Sequence, residues 1–328
     1  MSVLTRRNLF SAAAFAGAAA AIPVAAAEAP GAAAKAPEDA GLPGFRPLFK
    51  PRYGQALWEL GLAQWSLCDL HNKGELDNRD FGRFCKEKFG ISTVEWVNSF
   101  FMDKGSNFSY LAEMKRRCDD VGVRTNLIMV DGEGSLGEPD AAKRTQVVDN
   151  HKKWVVASKL LGGHAIRVNA HSDGSFDEQA KNAADGLRQL TEFARTFGIT
   201  VCVENHGGYS SNKKWLVKVM STVGLPECGI LPDFGNCGRG GDETERYSTI
   251  DAFMPFAQSV SVKSWKFNDD GSHPEFDLTR LMRIVNSHGW NGVCAIESEG
   301  APGGARAVEL TAAALKQAEK TLRAEMGI

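Results

Sequence analysis

The chain has no Cys-x-x-Cys pair, no Gly-x-Gly-x-x-Gly opening its first helix, only seven histidines in 328 residues and a formal net charge of −2. Each shortage removes a class of function. The seven cysteines, Cys68, Cys85, Cys118, Cys202, Cys228, Cys237 and Cys294, are odd in number and scattered, which argues against a disulfide framework and against a zinc knuckle. Three of them, Cys202, Cys228 and Cys294, lie inside apolar runs and read as small buried side chains. Without that glycine fingerprint at the first helix, an open dinucleotide-binding sheet is the weaker of two α/β readings. Near-neutral charge gives no bulk attraction for nucleic acid or an anionic membrane. Dispersed histidines do not supply the multi-zinc cluster that a phosphodiesterase of the AP-endonuclease type needs. The alanine-rich apolar stretch from Ser11 to Ile22 is too short and too weakly hydrophobic for a good membrane span.

That stretch belongs to a leader. Thr5-Arg6-Arg7-Asn8-Leu9-Phe10 is a twin-arginine pattern, the apolar run follows, and Ala25-Ala26-Ala27 offers a small-residue cleavage site. Residues 1–27 are therefore expected to be an export signal, and 28–52, rich in Ala, Pro and Gly, a flexible lead-in. The expected destination is the periplasm or another exported location, with no stable membrane anchoring. A twin-arginine substrate folds before export, so the lack of a disulfide pattern is in keeping with it.

What remains, 53–328, has the composition of an ordinary globular protein, 43% hydrophobic and 24% charged. Apolar runs at 60–67, 92–98, 124–130, 164–170, 199–205, 229–234, 259–264 and 293–298 recur every ~30 to 40 residues, the span of one strand and one covering helix. Helical patterns lie between them, as at 180–197 and 307–325. Gly90, Gly122, Gly198 and Gly289 stand between a helix and the next strand, where a cap needs positive φ. Eight alternating units predict a single (β/α)8 TIM barrel.

Three acidic residues end strands of that barrel: Glu204 in VCVENHGG, Asp233 in GILPDFGN and Glu297 in VCAIESEG. In a TIM barrel the strand C-termini form the active-site face. Burying one unpaired carboxylate costs several kcal/mol, and three at one mouth repel, so a divalent cation is the first expectation. Residues two apart on a strand share a face, which aligns Glu204 with His206, Arg167 with Asn169, Ser261 with Lys263 and Glu297 with Glu299. An arginine inside a strand, Arg167, must find an anion. Trp65, Trp96 and Trp265 lie near strand ends and offer either a wall for a sugar ring or core packing.

The motifs LAQWSL, VEWVNSFF, IMVDGEG, IRVNA, VENHGGYSS, LPDFGN, VKSWKF and IESEG, in this order from Leu60 to the C-terminus, resemble the xylose-isomerase-like TIM barrels of the sugar phosphate isomerase/epimerase superfamily, in particular its exported branch with twin-arginine leaders. The resemblance implies a divalent metal (Mn, Mg, Co or Zn) on ligands from strands five to eight. Glu204, Asp233 and Glu297 match three ligand positions, and His206 is the candidate imidazole. Two departures stand out. Ser261 occupies the position where the family's ketose epimerases often carry a histidine ligand, and Asn236 another. The resemblance further implies two glutamates passing a proton beside a carbonyl. Glu204 and Glu297 are the candidates, with Lys263 and His206 facing the oxyanion. Trp65, Glu95, Arg167, Asn169, His171 and Asn236 are expected to bind substrate. Members are often homo-oligomers.

The first expectation is thus isomerisation or epimerisation of a non-phosphorylated sugar or keto-sugar. The second is a 3-keto-glycoside lyase or hydratase, which follows the same proton abstraction by β-elimination. A phosphodiesterase and a non-catalytic sugar-binding barrel rank below both. The glycine-rich loop 300–304 admits a phosphate, although helix capping explains it as well.

Overall fold

The computed structural model describes residues 56–237, 242–268, 270–300 and 303–327. The leader and the whole lead-in expected from the sequence lie outside the described residues, as do 301 and 302 of the glycine-rich loop.

Eight parallel strands are described: β1 (Glu59–Ala63), β2 (Thr93–Val97), β3 (Arg124–Met129), β4 (Ala165–Val168), β5 (Thr200–Glu204), β6 (Cys228–Leu231), β7 (Val260–Ser264) and β8 (Val293–Ser298). They pair in the order β6-β5-β4-β3-β2-β1-β8-β7. The two ends of this sheet meet through the parallel bridges Ile230–Ala257 and Asp233–Ser261. There Ser261 N donates to Pro232 O at 2.9 Å and Phe234 N to Ser261 O at 3.1 Å. The sheet therefore curls round on itself, as the alternation of strand and helix predicts for a TIM barrel. The covering helices are α1 (Cys68–Asn72), α2 (Phe81–Phe89), α3 (Phe108–Asp119), α4 (Ala141–Leu161), α5 (Phe176–Ala194), α6 (Lys213–Val223), α7 (Glu243–Phe253), α8 (Leu278–Ser287) and α9 (Gly304–Met326).

Local chemistry sets the element ends. Side chains of Asp140, Ser175, Asn212, Asp242 and Asp277 accept from backbone amides at the starts of α4 to α8, which satisfies donors that a helix leaves open. All four glycines expected as caps have positive φ, between 66° and 71°. Seven of the eight strands are shorter than the apolar runs suggest, and the first, sixth and fourth stop earliest at their C-terminal ends. The first stops at Ala63 because Gln64 turns inward, its Oε1 accepting from Val97 N at 2.9 Å, and Gln64–Leu67 forms a 3-10 turn. The sixth stops at Leu231 because Pro232 has no N–H to give the ladder. The fourth ends at Val168, ahead of Asn169.

Two buried layers result. The larger lies between strands and helices and includes Trp96, Trp154, Trp215, Phe81 and Phe253. The smaller fills the barrel: Ala63, Val97, Leu127, Met129, Ala165, Cys202 and Leu231. Two residues further along several of these strands, toward their C-terminal ends, the barrel stops being apolar.

Candidate active site

Strand parity places Arg167 beyond Ala165, Glu204 beyond Cys202, Asp233 beyond Leu231, Lys263 beyond Ser261 and Glu297 beyond Ala295. None of these five is more than 4% exposed. Lys263 and Glu297 are direct ladder partners on β7 and β8, and Asp233 bridges to Ser261.

The polar layer is tightly paired. Lys263 Nζ lies 2.7 Å from Glu297 Oε1, 3.4 Å from Glu299 Oε1, 3.6 Å from Glu204 Oε1 and 3.8 Å from Asp233 Oδ2. Arg167 Nε sits 2.7 Å from Glu204 Oε2, and its Nη1 2.8 Å from Asp131 Oδ1. Asn236 Nδ2 donates to Glu204 Oε1 at 2.8 Å, and Asn236 N to Asp233 Oδ1 at 2.7 Å. Ser261 Oγ is 2.6 Å from Asp233 Oδ2 and 3.0 Å from Glu297 Oε2. A hydroxyl has one hydrogen to donate, so both short contacts are satisfied only when one of the two carboxyl groups carries a proton.

The electrostatics agree with that sharing. Burial, against the pull of Lys263, pushes the Asp233 carboxyl up to about 8. Burial likewise raises Glu297, again opposed by Lys263. For Lys263 burial favours the neutral amine, yet Asp233, Glu297, Glu204 and Glu299 together outweigh it and hold the ammonium well above its ordinary range. Arg167 is raised in the same way, Glu204 and Asp131 overcoming its burial. Lys263 is therefore a fixed cation rather than a free amine nucleophile.

A cleft of about 290 Å³ opens onto this layer, lined by Trp65, Val97, Ser99, Asp131, Arg167, His206, Lys263, Glu297 and Glu299. A larger groove of about 720 Å³ beside the β7–α8 connection has none of the five layer residues in its lining.

The residues singled out in the sequence divide accordingly. Glu297, Lys263, Arg167, His206 and Trp65 reach the cleft. Glu204 and Asp233 lie beneath it, the former covered by Arg167 and Asn236. Asn236 holds the two carboxylates rather than lining the opening. His206 does not continue the face of Glu204 as strand parity suggests: β5 ends at Glu204, His206 N donates to Ser210 Oγ at 2.9 Å in the following turn, and the residue is exposed at the rim. Asn169 Nδ2 donates to Asp131 Oδ1 at 2.7 Å, beside the cleft. His171 is exposed and does not line it.

Glu95 corrects the sequence reading most. It is fully buried inside the barrel, its Oε1 accepting from Asn126 Nδ2 at 2.6 Å and Ser259 Oγ at 2.8 Å, with no cleft contact. A register shift between β2 and β3 at Val94/Glu95 carries the ladder from Thr125 to Leu127, leaving Asn126 unpaired on the ladder. Of the three strand-end tryptophans only Trp65 lines the opening. Trp96 is fully buried, donating to Thr125 Oγ1, and Trp265 packs on His273 and Phe276.

Asp131 and Glu299 were the residues that the sequence reading left without a role. Asp131 carried a usable signal, since it follows the apolar run of β3 just as Glu204, Asp233 and Glu297 end theirs. Glu299 continues β8, its N–H donating to Ser264 O at 2.8 Å.

Glu204, Asp233 and Glu297 each offer an oxygen within 4.8 Å of the others, a set that could hold a metal ion. The rest of the donor set does not fit a resident one. His206 is not part of the group, Ser261 and Asn236 stand where imidazoles were expected, and Lys263 already faces all three carboxylates.

Comparison with known proteins places this geometry. Residues 85–323 match the Xylose isomerase-like TIM barrel family. No curated protein matches the sequence. Among solved structures, the 3-keto-D-glucoside 4-epimerase of E. coli is 17% identical, with TM-score 0.63 over 79% of this chain and 99% of that one. The IOLI protein with a bound zinc atom is 14% identical, with TM-score 0.61 over 80% and 98%. A probable 3-DHS dehydratase of Bacillus anthracis is 14% identical, with TM-score 0.58 over 80% and 98%. At these identities the likeness is one of fold.

Proposed function

The chain belongs to the Xylose isomerase-like TIM barrel family, and on that basis we propose that it is an enzyme that removes a proton next to the carbonyl of a small, non-phosphorylated sugar or keto-sugar and returns it, isomerising or epimerising the substrate. The observation that carries this reading is the pair Glu297 and Lys263, 2.7 Å apart and both lining the cleft. Such a pair sets a base beside a cation, the two groups an enolisation needs.

In this reading the Glu297 carboxylate takes the proton from the carbon beside the carbonyl. The C–H electrons pass into the carbonyl, whose oxygen becomes negative and is met by a positive charge. The proton then returns to the other face of the same carbon, giving an epimer, or to the neighbouring carbon, giving an isomer. Glu204 was the expected second proton carrier. With its oxygens held by Arg167 and Asn236, its role in this reading is to hold Arg167 in place. His206, which lines the same cleft, takes the second proton-transfer position.

The cleft also argues for an uncharged substrate. Its cations, Arg167 and Lys263, are outnumbered by its carboxylates, and a phosphate would meet Asp131, Glu297 and Glu299. The same argument disfavours a phosphodiester. Export by the twin-arginine leader is part of the proposal and suits a free sugar or glycoside.

A second reading has one observation in its favour. His206, beside the base, can protonate a leaving hydroxyl or alkoxide, so abstraction followed by β-elimination from a 3-keto-glycoside uses the same cleft. A dehydratase and a 3-keto-glucoside epimerase among the structural neighbours support keeping it. An NMR screen of free sugars and 3-keto-glycosides in deuterated water tests both. Deuterium entering next to the carbonyl supports the proton abstraction, and the product separates epimer from alkene. No exchange on any candidate, with enzyme shown to be folded, would sink the proposal.

A further inference from the structure

We propose that the cation of this site is the Lys263 ammonium itself, and that the carboxylate cage takes no resident divalent metal. The electrophilic role given to Lys263 rests on the enolisation reading above, whereas the identity of the cation stands on the geometry alone.

Charge balance comes first. Three carboxyl groups of the layer are fully buried or nearly so: Glu204, Asp233 and Glu297. Two buried cations face them, Arg167 and Lys263, and the Ser261 hydroxyl lies between Asp233 and Glu297. The buried layer thus holds counter-charges of its own. Asp131 and Glu299 are partly exposed and lie outside this buried set. A divalent ion would add two charges where two cations already stand, and the ammonium would have to leave to make room.

Geometry comes second. Lys263 Nζ lies within 4 Å of an oxygen of each triad member, the central place a shared cation takes. Gly235 is fitted to this placement. A Cβ there would stand 2.6 Å from Lys263 Cγ and 2.9 Å from its Cβ, so only glycine lets the lysine stem pass. Donor chemistry comes third. Ser261 supplies a hydroxyl that ties two carboxyl groups together, a poor ligand but a good bridge.

An ammonium has three N–H donors. One points to Glu297 at 2.7 Å, and the remaining carboxylates stand at 3.4 Å or more. Lys263 lines the cleft, so a donor is left for a substrate carbonyl oxygen as it gains negative charge. The ammonium then does by hydrogen bonding what a Lewis acid does by coordination.

The test is metal binding, measured without reference to turnover. Full-length protein is treated with chelator, dialysed, and titrated with Mn²⁺ and with Zn²⁺ by calorimetry, alongside Lys263→Met. The proposal expects the wild-type chain to bind neither ion in the cage, and Lys263→Met, with the opposing charge gone, to bind at least ~100-fold more tightly. Turnover by chelator-treated wild type is expected to be unchanged. One divalent ion bound tightly per wild-type chain would overturn the proposal, whatever the variant does, as would activity lost with chelator and restored by metal. Should Lys263→Met fail to fold, the wild-type titration still decides. A wild-type chain that binds no metal yet exchanges no substrate proton would remove the enolisation reading and leave the cation assignment standing.

Discussion

Lys263 and Glu297 face each other across the β7–β8 ladder with Nζ and Oε1 2.7 Å apart. Each holds the other in the charged form useful to it. The carboxylate raises the ammonium against the effect of burial, and the ammonium restrains the upward drift of a buried carboxyl. Breaking such a pair leaves one buried charge uncompensated, which costs ~3–5 kcal/mol. The pair is therefore at once a chemical and a structural element, and experiments must separate the two.

Glu297→Gln keeps the shape and removes the base. Turnover is expected to fall by ~10² to 10⁴-fold. Glu204→Gln is expected to act differently, lowering the melting temperature more than it lowers the rate of proton exchange, because it leaves Arg167 with Asp131 alone. Deuterium exchange rates and thermal melts on both variants check this. Equal loss of exchange in the two, with both folded, would return Glu204 to the role of proton carrier.

Gly235→Ala tests how the lysine is seated. The new Cβ would meet Lys263 Cγ at 2.6 Å and Trp265 Cζ3 at 2.8 Å. Overpacking of this kind costs ~1–3 kcal/mol, and a displaced ammonium is expected to lower kcat. A variant of unchanged stability and activity would show that the stem has room to spare.

Glu95 sets a pH dependence of stability. Burial pushes its carboxyl from an ordinary 4.5 up to about 7, against hydrogen bonds from Asn126 and Ser259. Between those values the folded chain keeps a proton that the unfolded chain releases. This contribution to stability therefore falls as pH rises from about 4.5 to about 7 and is level outside that window. Its size is ~3 kcal/mol. Glu95→Gln is expected to be more stable than wild type at pH ~8 and similar to it below pH ~4.5, measured as the difference between denaturation curves. A pH-independent difference would disprove the assignment.

Trp65 is the aromatic wall of the cleft. It is 36% exposed and donates through Nε1 to Glu299 Oε1 at 3.2 Å. Trp65→Phe keeps the ring and loses the donor, while Trp65→Ala loses both. The expected order in KM is wild type, then Phe, then Ala, with ~10-fold or more separating the extremes and kcat changed less. Steady-state kinetics on the substrate found by the NMR screen provide the check.

Much of this was legible in the chain itself. Apolar runs at regular spacing, with Gly90, Gly122, Gly198 and Gly289 between helix and strand, announce the alternation. Carboxylates at strand ends announce a site. What could not be read was where each strand stops. Pro232, the inward-turning Gln64 and the Ser210 turn cut runs short, and one residue either way decides whether a side chain such as His206 faces the barrel or the rim. The β2–β3 register shift is equally silent in sequence, yet it gives Glu95 its partner Asn126 in the interior.

The sequence by itself determined the alternating architecture and which residues carry charge at the strand ends, because hydrophobic period and strand parity are local properties. Only the tertiary structure decided which charges meet. Glu204, Asp233, Lys263 and Glu297 are separated by 29 to 93 positions along the chain. Compensation between charges depends on distances across the barrel, which curvature, ladder register and a single close-packed glycine fix together.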